Sequence, residues 1–314
     1  MTQTQTIPVV DLADLLADGP QRAAAVKRLS EALAEVGFFA LVGHGVDQEL
    51  IDSLYASARE TYDLPLEVKQ RYERPETMGQ RGYTSFGREH AKDQEAADLK
   101  EYWSVGPQET RDVYPENLWP EEVPSLRTHA LEVYERLGRC ARAILGACAE
   151  ALDLPAERFV ELTEGGETLL RILHYPPIAD DRDPASVRAA AHEDVNLITL
   201  LCGATAAGLE LLSREGEWRP IHALPGQIIV DSGDMLQQLT NGYYRSTTHR
   251  VVNPDDDRSR RFSMPCFVHP RPEVDLTPLP ECVAKTGGVP QFGSITAGAY
   301  LTERLESLGL GAQA

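Results

Sequence analysis

The sequence predicts a single α+β domain, helical in its first half and closed by a β sandwich or barrel. Three observations carry this. Apolar residues recur at helical spacing from Gln21 to Val36 and again from Pro124 to Leu152. After about residue 166 the texture changes to short β runs separated by turn signals. No linker, repeat or low-complexity segment divides the 314 residues, a length that can bury a substantial core in one domain.

In chain order, Ile7 to Leu12 reads as a short strand. The helix from Gln21 carries Val26, Leu29, Leu33 and Val36 on one face and stops at Gly37. Phe38 to Val42 is a second strand, and Asp47 is placed to cap a helix bearing Leu50, Ile51, Leu54 and Tyr55. The polar stretch from Arg74 to Ala97, with Gly79, Gly82 and Gly87, reads as a long loop. A long helix follows, its stripe running through Ala130, Val133, Leu137, Ala141, Ile144, Leu145 and Cys148. The β runs are Leu169–His174, Leu197–Cys202, Leu209–Leu212, Trp218–His222, Gln227–Asp231, Ser246–Val252 and Arg261–Val268, and Ser294 to Leu308 returns to helix.

Composition narrows the function. A net charge of −19 argues against nucleic acid and anionic membrane surfaces, since nucleic-acid binders carry a basic patch. No apolar run approaches the ~20 residues a membrane span needs, and Met1 to Val10 lacks the build of a signal peptide. Five scattered cysteines (Cys140, Cys148, Cys202, Cys266 and Cys282) form no CxxC pair, which fits a reducing compartment. A cytoplasmic protein is the expectation.

The strongest chemical signal is Ala191-His192-Glu193-Asp194. On a strand, residues i and i+2 share a side, so His192 and Asp194 would converge while Glu193 faces away. The buried run Leu197–Leu201 would set this pair on a rigid sheet. An imidazole and a carboxylate together suit a divalent metal, and a third ligand must come from elsewhere. His249 lies in another strand-like run, fifty-seven residues after His192. Two histidines and one carboxylate leave metal positions open, the arrangement of non-haem Fe(II) oxygenases. Twelve residues further on, Arg261 and Ser263 share a strand face, and a guanidinium beside a hydroxyl suits a carboxylate.

His192-x-Asp194, His249 and Arg261-x-Ser263, in this order, resemble the isopenicillin N synthase-like branch of the Fe(II)/2-oxoglutarate dioxygenases. The resemblance extends to Ile7–Leu12, Gly37-Phe38-Phe39, Gly43-His44-Gly45-Val46, His174-Tyr175-Pro176-Pro177, Gly233-Asp234-Met235 and Asn241-Gly242. It implies an α+β fold with a double-stranded β-helix (jelly roll) core, flanked by N-terminal helices, a long central helix and a C-terminal helix. Residues 1–314 would form one domain: 1–165 mainly helical, 166–272 the jelly-roll core with the metal site, and 273–314 a tail and helix.

It further implies that His192, Asp194 and His249 ligate Fe(II), and that Arg261, Ser263 and Tyr175 hold 2-oxoglutarate. With O2, and ascorbate as an added reductant, a small-molecule substrate would be hydroxylated while succinate and CO2 leave. Leu173 departs from the pattern, since many members have Asn two positions before the tyrosine. Substrate contacts are sought at Tyr83, Ser85, Lys100, Tyr102, Phe267 and His269.

Other readings share these residues. An oxidase with the same iron triad would use Arg261 and Ser263 for a substrate carboxylate and form no succinate. Desaturation, ring closure or ethylene formation would use the same site. A non-catalytic jelly-roll binding module would keep a metal as a prop, and a zinc hydrolase would need a base that no residue clearly supplies. Of the remaining polar residues, His44 in a turn, His174 packed in a strand, and Asp231 and Asp234 as turn formers take structural readings, while His222 and His269 at strand ends are read as partly exposed or pocket-lining. The sequence leaves the substrate and the oligomeric state open.

Overall fold

A computed structural model describes residues 7–89, 98–109, 116–178, 187–222, 224–253, 259–308 and 310. The first half runs β1 (Val9–Asp11), α1 (Leu12–Leu16), α2 (Gly19–Glu35), β2 (Phe38–Val42), α3 (Gln48–Tyr62), α4 (Leu66–Gln70), β3 (Gly82–Thr84), β4 (Glu101–Val105), α5 (Ser125–Glu150) and α6 (Glu157–Thr163). The second half supplies β5 (Leu169–Tyr175), β6 (Ala189–His192), β7 (Ile198–Cys202), β8 (Leu209–Leu212), β9 (Trp218–Pro220), β10 (Ile228–Ser232) and α7 (Asp234–Leu239). After these come β11 (His249–Val251), β12 (Arg261–Val268), α8 (Pro280–Lys285) and α9 (Ala297–Ser307).

The strands form two sheets, consistent with a jelly roll. The larger has the order β1-β2-β10-β7-β12-β5-β4-β3 and the smaller β6-β11-β8-β9. All pairs are antiparallel except β1 with β2.

Alternation along the strands decides what each face buries. Phe38 and Ala40 on β2, with Ile229 on β10, pack toward Ala189, Leu209, Leu211 and Val251 of the smaller sheet. Phe39, Leu41, Ile228 and Val230 point the other way, into a cluster with the α5 stripe of Ala130, Val133, Leu137, Ala141, Ile144 and Leu145. The large sheet is thus covered on both faces, which explains its near-continuous apolar runs. That second cluster draws on residues from Val10 to Ala297, so one core joins both halves of the chain.

The helical expectation for the first half needs one amendment. It also supplies β1 to β4, which complete both ends of the large sheet. The predicted loop from Arg74 to Ala97 contains β3, which pairs with β4, and β4 in turn lies along β5 from Glu101↔His174 to Val105↔Leu170; residues 90–97 of that loop lie outside the described residues. Asp47 does sit at the start of α3, but its side chain makes no cap and pairs instead with Arg136 at 2.7 Å. Gly37 ends α2 as expected, with φ +80°, and a Cβ there would lie 2.2 Å from Thr247 Oγ1. That close approach lets the segment before β11 pack on the end of α2, where the Thr247 hydroxyl donates to the Val36 carbonyl (2.9 Å). The five cysteines are buried and free. Among the described residues, no helix is long and apolar enough to cross a membrane.

Candidate active site

Pairing of β6 with β11 brings together two histidines distant in sequence: His192 stands directly opposite His249, and their rings lie 4.4 Å apart. Each imidazole is oriented by its own backbone neighbourhood. His192 Nδ1 donates to the Ala190 carbonyl (2.7 Å) and His249 Nδ1 to that of Thr247 (3.1 Å), so both Nε2 atoms are left as acceptors. Both point at Asp194 Oδ1, each at 3.7 Å, and the three donor atoms lie within 4.8 Å of one another. Burial, and next the nearby His192 imidazole, pull the His249 pKa below its ordinary value and keep the ring neutral. Phe38 packs edge-on against His249 at 5.5 Å.

The expected strand geometry of the His-x-Asp pair is only half right. His192 is the last residue of β6, whereas Asp194 lies beyond it, in the turn that crosses to β7 of the other sheet. That turn is braced rather than stranded. Asp194 O accepts from Asp234 N (2.8 Å), and Asn196 O from Met235 N (3.0 Å). A Cβ on Gly233 would lie 2.3 Å from Asn196 Oδ1 and 2.8 Å from Asp194 O, so only glycine permits this approach. The Thr199 hydroxyl donates to Asp194 Oδ2 and accepts from Asn196 Nδ2 (2.8 Å), leaving Oδ1 for the histidines. Glu193 does not simply face away; it lines the cavity rim and takes the Thr248 hydroxyl.

Asp231 also differs from its turn-former reading. It sits inside β10, opposite Phe38 and Thr199, buried at the floor of the cavity. Burial, and then the charge of Asp194, push its carboxyl well above the usual range. Asp234 keeps its structural role, accepting from Tyr300 Oη (2.8 Å). His44 is a turn residue, accepting from Val46 N and bonded to Gly226 O. His174 is a packed strand histidine stacked between Tyr62 and Phe262.

Beside the three-residue cluster, β12 and β5 place Arg261 opposite Tyr175. The guanidinium is 1% exposed, 4.9 Å from the Tyr175 ring centre, and donates to Ser263 Oγ (3.1 Å) and the Ala206 carbonyl (3.2 Å). Among the described residues no carboxylate pairs with it. Leu173 stands opposite Ser263 with its apolar side chain on the cavity, so no polar contact comes from that position.

The cavity has an empty volume of about 1060 Å³, part of it open solvent. Of the expected substrate contacts, Lys100, Phe267 and His269 line it. His269 is buried, its Nδ1 has no hydrogen-bond partner among the described residues, and burial lowers its pKa to about 4. Tyr83, Ser85 and Tyr102 lie behind the wall: Tyr83 donates to Glu101, Ser85 to Glu73 (2.6 Å), and Tyr102 lies under Arg171. His222 lines a smaller cavity next to Arg261. Sequence reasoning missed Gln80, Glu89, Arg171, Asp231, the α9 residues Leu301, Arg304 and Leu305, and Leu308 just after them. A signal for Arg171 was present, since counting back by two from Tyr175 gives Leu173, Arg171 and Leu169, all four on the cavity face.

Residues 7–122 match the family model described as "non-haem dioxygenase in morphine synthesis N-terminal", and residues 166–270 match the 2OG-Fe(II) oxygenase superfamily. A 2-oxoglutarate-Fe(II) type oxidoreductase from Aspergillus fumigatus is 32% identical over 91% of this chain and 87% of its own. The proline hydroxylase buaE from Petromyces alliaceus is 31% identical over 94% and 97%. Among solved structures, a full-length Neurospora crassa protein in complex with alpha-KG superposes with a TM-score of 0.86 at 25% identity, covering 98% of each chain. The chain belongs to the 2OG-Fe(II) oxygenase family. It is an Fe(II)- and 2-oxoglutarate-dependent dioxygenase that consumes O2.

The residues present fit these cofactors. Asp194 and Asp231 are buried side by side, and among the described residues neither has a lysine or arginine partner. Two such carboxylates are costly without a cation between or beside them. Arg261 presents the converse, a buried cation with no anion among the described residues.

Proposed function

We propose that His192, Asp194 and His249 hold the Fe(II), that Arg261, Ser263 and Tyr175 hold 2-oxoglutarate, and that the enzyme hydroxylates a small molecule. The observation that carries this is the cluster of two imidazole Nε2 atoms and one carboxylate oxygen, beside a buried arginine lacking an anionic partner among the described residues. When bound, the iron would activate O2, the oxidant, which takes two electrons from 2-oxoglutarate (leaving as succinate and CO2) and two from the substrate C–H bond.

The chain supplies position and shelter. Backbone carbonyls fix both imidazole tautomers, and Thr199 fixes which oxygen Asp194 presents. Three protein donors leave room for the keto acid and for O2. The fork of Arg261 matches the distal carboxylate, and Ser263 adds a hydroxyl donor. Leu209, Val251 and the α9 leucines form apolar walls that exclude water from the reacting C–H bond. No side-chain general base is assigned, because a C–H bond is broken by the metal chemistry and not by proton abstraction.

The small-molecule reading draws support from relatives named as hydroxylases of small substrates, proline hydroxylase among them. An acidic surface and the lack of a membrane-crossing helix among the described residues agree with a cytoplasmic enzyme organised as one domain. Turnover under oxygen-18 gas tests the reaction type. Hydroxylation puts one labelled atom into succinate and one into the product; unlabelled, desaturated product would refute hydroxylation.

A further inference from the structure

The cavity wall away from the metal carries charge that neither iron nor 2-oxoglutarate uses. Arg171 shares its β5 face with Tyr175 but lies four residues earlier, about 13 Å along the strand. It is therefore too far to share the carboxylate held by Arg261. Its guanidinium lies over the Tyr102 ring at 4.2 Å and the Phe267 ring at 5.5 Å, which holds the plane in place. The side chain is 10% exposed. Among the described residues only its Nη1 is engaged, with Glu89 Oε2 at 3.2 Å, and Nε is buried without a partner.

Lys100, Arg171, Arg261 and Arg304 line the cavity with Glu89, Glu193, Asp194 and Asp231, so cations and carboxylates are equal in number and what differs is how each is engaged. Asp98, which pairs with Lys100 at 2.8 Å, and Asp234, 3.5 Å from Arg304, are not part of the lining. Lys100 is further occupied by Glu89 at 2.5 Å, so its charge is largely answered. Arg261 aside, the less fully answered cations among the described residues are Arg171, engaged by Glu89 through Nη1 alone, and Arg304, which meets Asp234 only at 3.5 Å. The same cavity has apolar lining from Leu169, Leu209 and Val251, from Leu301 and Leu305 of α9, and from Leu308 just after it.

We propose that Arg171, assisted by Arg304, is the specificity anchor for a carboxylate on the substrate, and that the substrate is a small carboxylic acid with an apolar body. The proposal rests on the oxygenase reading of this cavity. The acid end is held at the Arg171 platform, and the apolar body spans the walls so that its far C–H bonds reach the His192–Asp194–His249 cluster. Glu89 holds one edge of the guanidinium and leaves the other for the incoming carboxylate.

The test is calorimetric titration under argon of the protein loaded with Fe(II) and 2-oxoglutarate. The probes are 3-phenylpropanoate and octanoate, their primary amides, and 3-phenylpropylamine. The acids are expected to bind at least ~10-fold tighter than the amides, and in Arg171→Gln that preference should shrink to within about 3-fold. Arg171→Lys, which keeps the charge but loses the fork, should retain an intermediate preference; it also serves if the glutamine variant does not fold. Equal binding of acid and amide, tighter binding of the amine, no binding of either acid, or an undiminished acid preference in Arg171→Gln would each overturn the proposal. Failure of the protein to bind 2-oxoglutarate in the loading step is a separate result, and it would overturn the parent reading together with this one.

Discussion

Replacing Arg261 by Leu isolates the proposed 2-oxoglutarate anchor from the proposed metal site. Arg261 is 1% exposed, its nearest polar partners are a hydroxyl and a backbone carbonyl, and no carboxylate answers its charge among the described residues. Its charge is therefore available to the cosubstrate, in a site where solvent screens little. Losing one side of a buried, hydrogen-bonded charge pair costs about 2–5 kcal/mol, or roughly 30- to 4000-fold in affinity. Chelation at the iron and the Ser263 hydroxyl remain, which argues for the lower half of that range.

The folded protein should respond differently. Removing an uncompensated buried cation and leaving an apolar side chain of smaller volume is expected to be near neutral for the cofactor-free fold. Anaerobic titration of 2-oxoglutarate into the Fe(II) protein, followed by its charge-transfer absorption, measures the first quantity, and a thermal melt the second. The expected result is a dissociation constant raised at least ~30-fold with iron affinity within about 3-fold of wild type. An unchanged 2-oxoglutarate affinity would refute the reasoning, because it would mean that the buried guanidinium does not face the cosubstrate.

Three further outcomes are expected. Gly233→Ala places a Cβ 2.3 Å from Asn196 Oδ1 and 2.5 Å from Asn196 O; overpacking of this kind costs about 1–3 kcal/mol, and a urea melt should show it together with weakened iron binding. Thr199→Val removes the donor to Asp194 Oδ2 while keeping the shape of the side chain; iron affinity should fall ~10-fold, as for other partners that orient metal ligands, and an unchanged affinity by metal titration would show that Asp194 needs no such support. Glu89 gives a pH effect: burial alone would raise its pKa, but Lys100 and Arg171 outweigh burial and hold it at about 2. A carboxylate with a depressed folded pKa contributes stability in full above its unfolded value near 4.5, and that contribution is lost as pH falls toward 2. Between those values Glu89→Gln should therefore show a flatter dependence of stability on pH than wild type, and an equally steep dependence would remove Glu89 from the account.

Much of this was legible in the sequence, for identifiable reasons. Helices with a full apolar stripe, such as α5, announce themselves because burial of one face imposes the 3.6-residue period. The convergence of His192, Asp194 and His249 was legible because few residue types can hold a metal. What the sequence hid was tertiary. β3 and β4 are short, and their strand character comes from pairing with each other and, for β4, with β5, which no local pattern reports. Asp231 looks like a turn former beside Ser232 and Gly233, yet β10 continues through it and leaves it buried next to Asp194. Tyr83 and Tyr102 were sought in the pocket from the N-terminal half of the chain, whereas β5 alternation puts Arg171 there, and Phe267, expected from the strand after Arg261, lines it. The helix α9 reaches the cavity through packing across more than a hundred residues of chain, and only the fold shows that its leucines roof the site.

The most direct measurement is succinate formation by purified protein given Fe(II), ascorbate, 2-oxoglutarate and O2, with bound iron and charge-transfer absorption recorded on the same samples. Wild type and His192→Ala are compared. The wild-type protein should bind one iron per chain, show the absorption on adding 2-oxoglutarate and form succinate; His192→Ala should lose all three while keeping its fold by circular dichroism. A folded His192→Ala variant that still binds iron and makes succinate at the wild-type rate would contradict the assignment of His192, Asp194 and His249 as the metal centre.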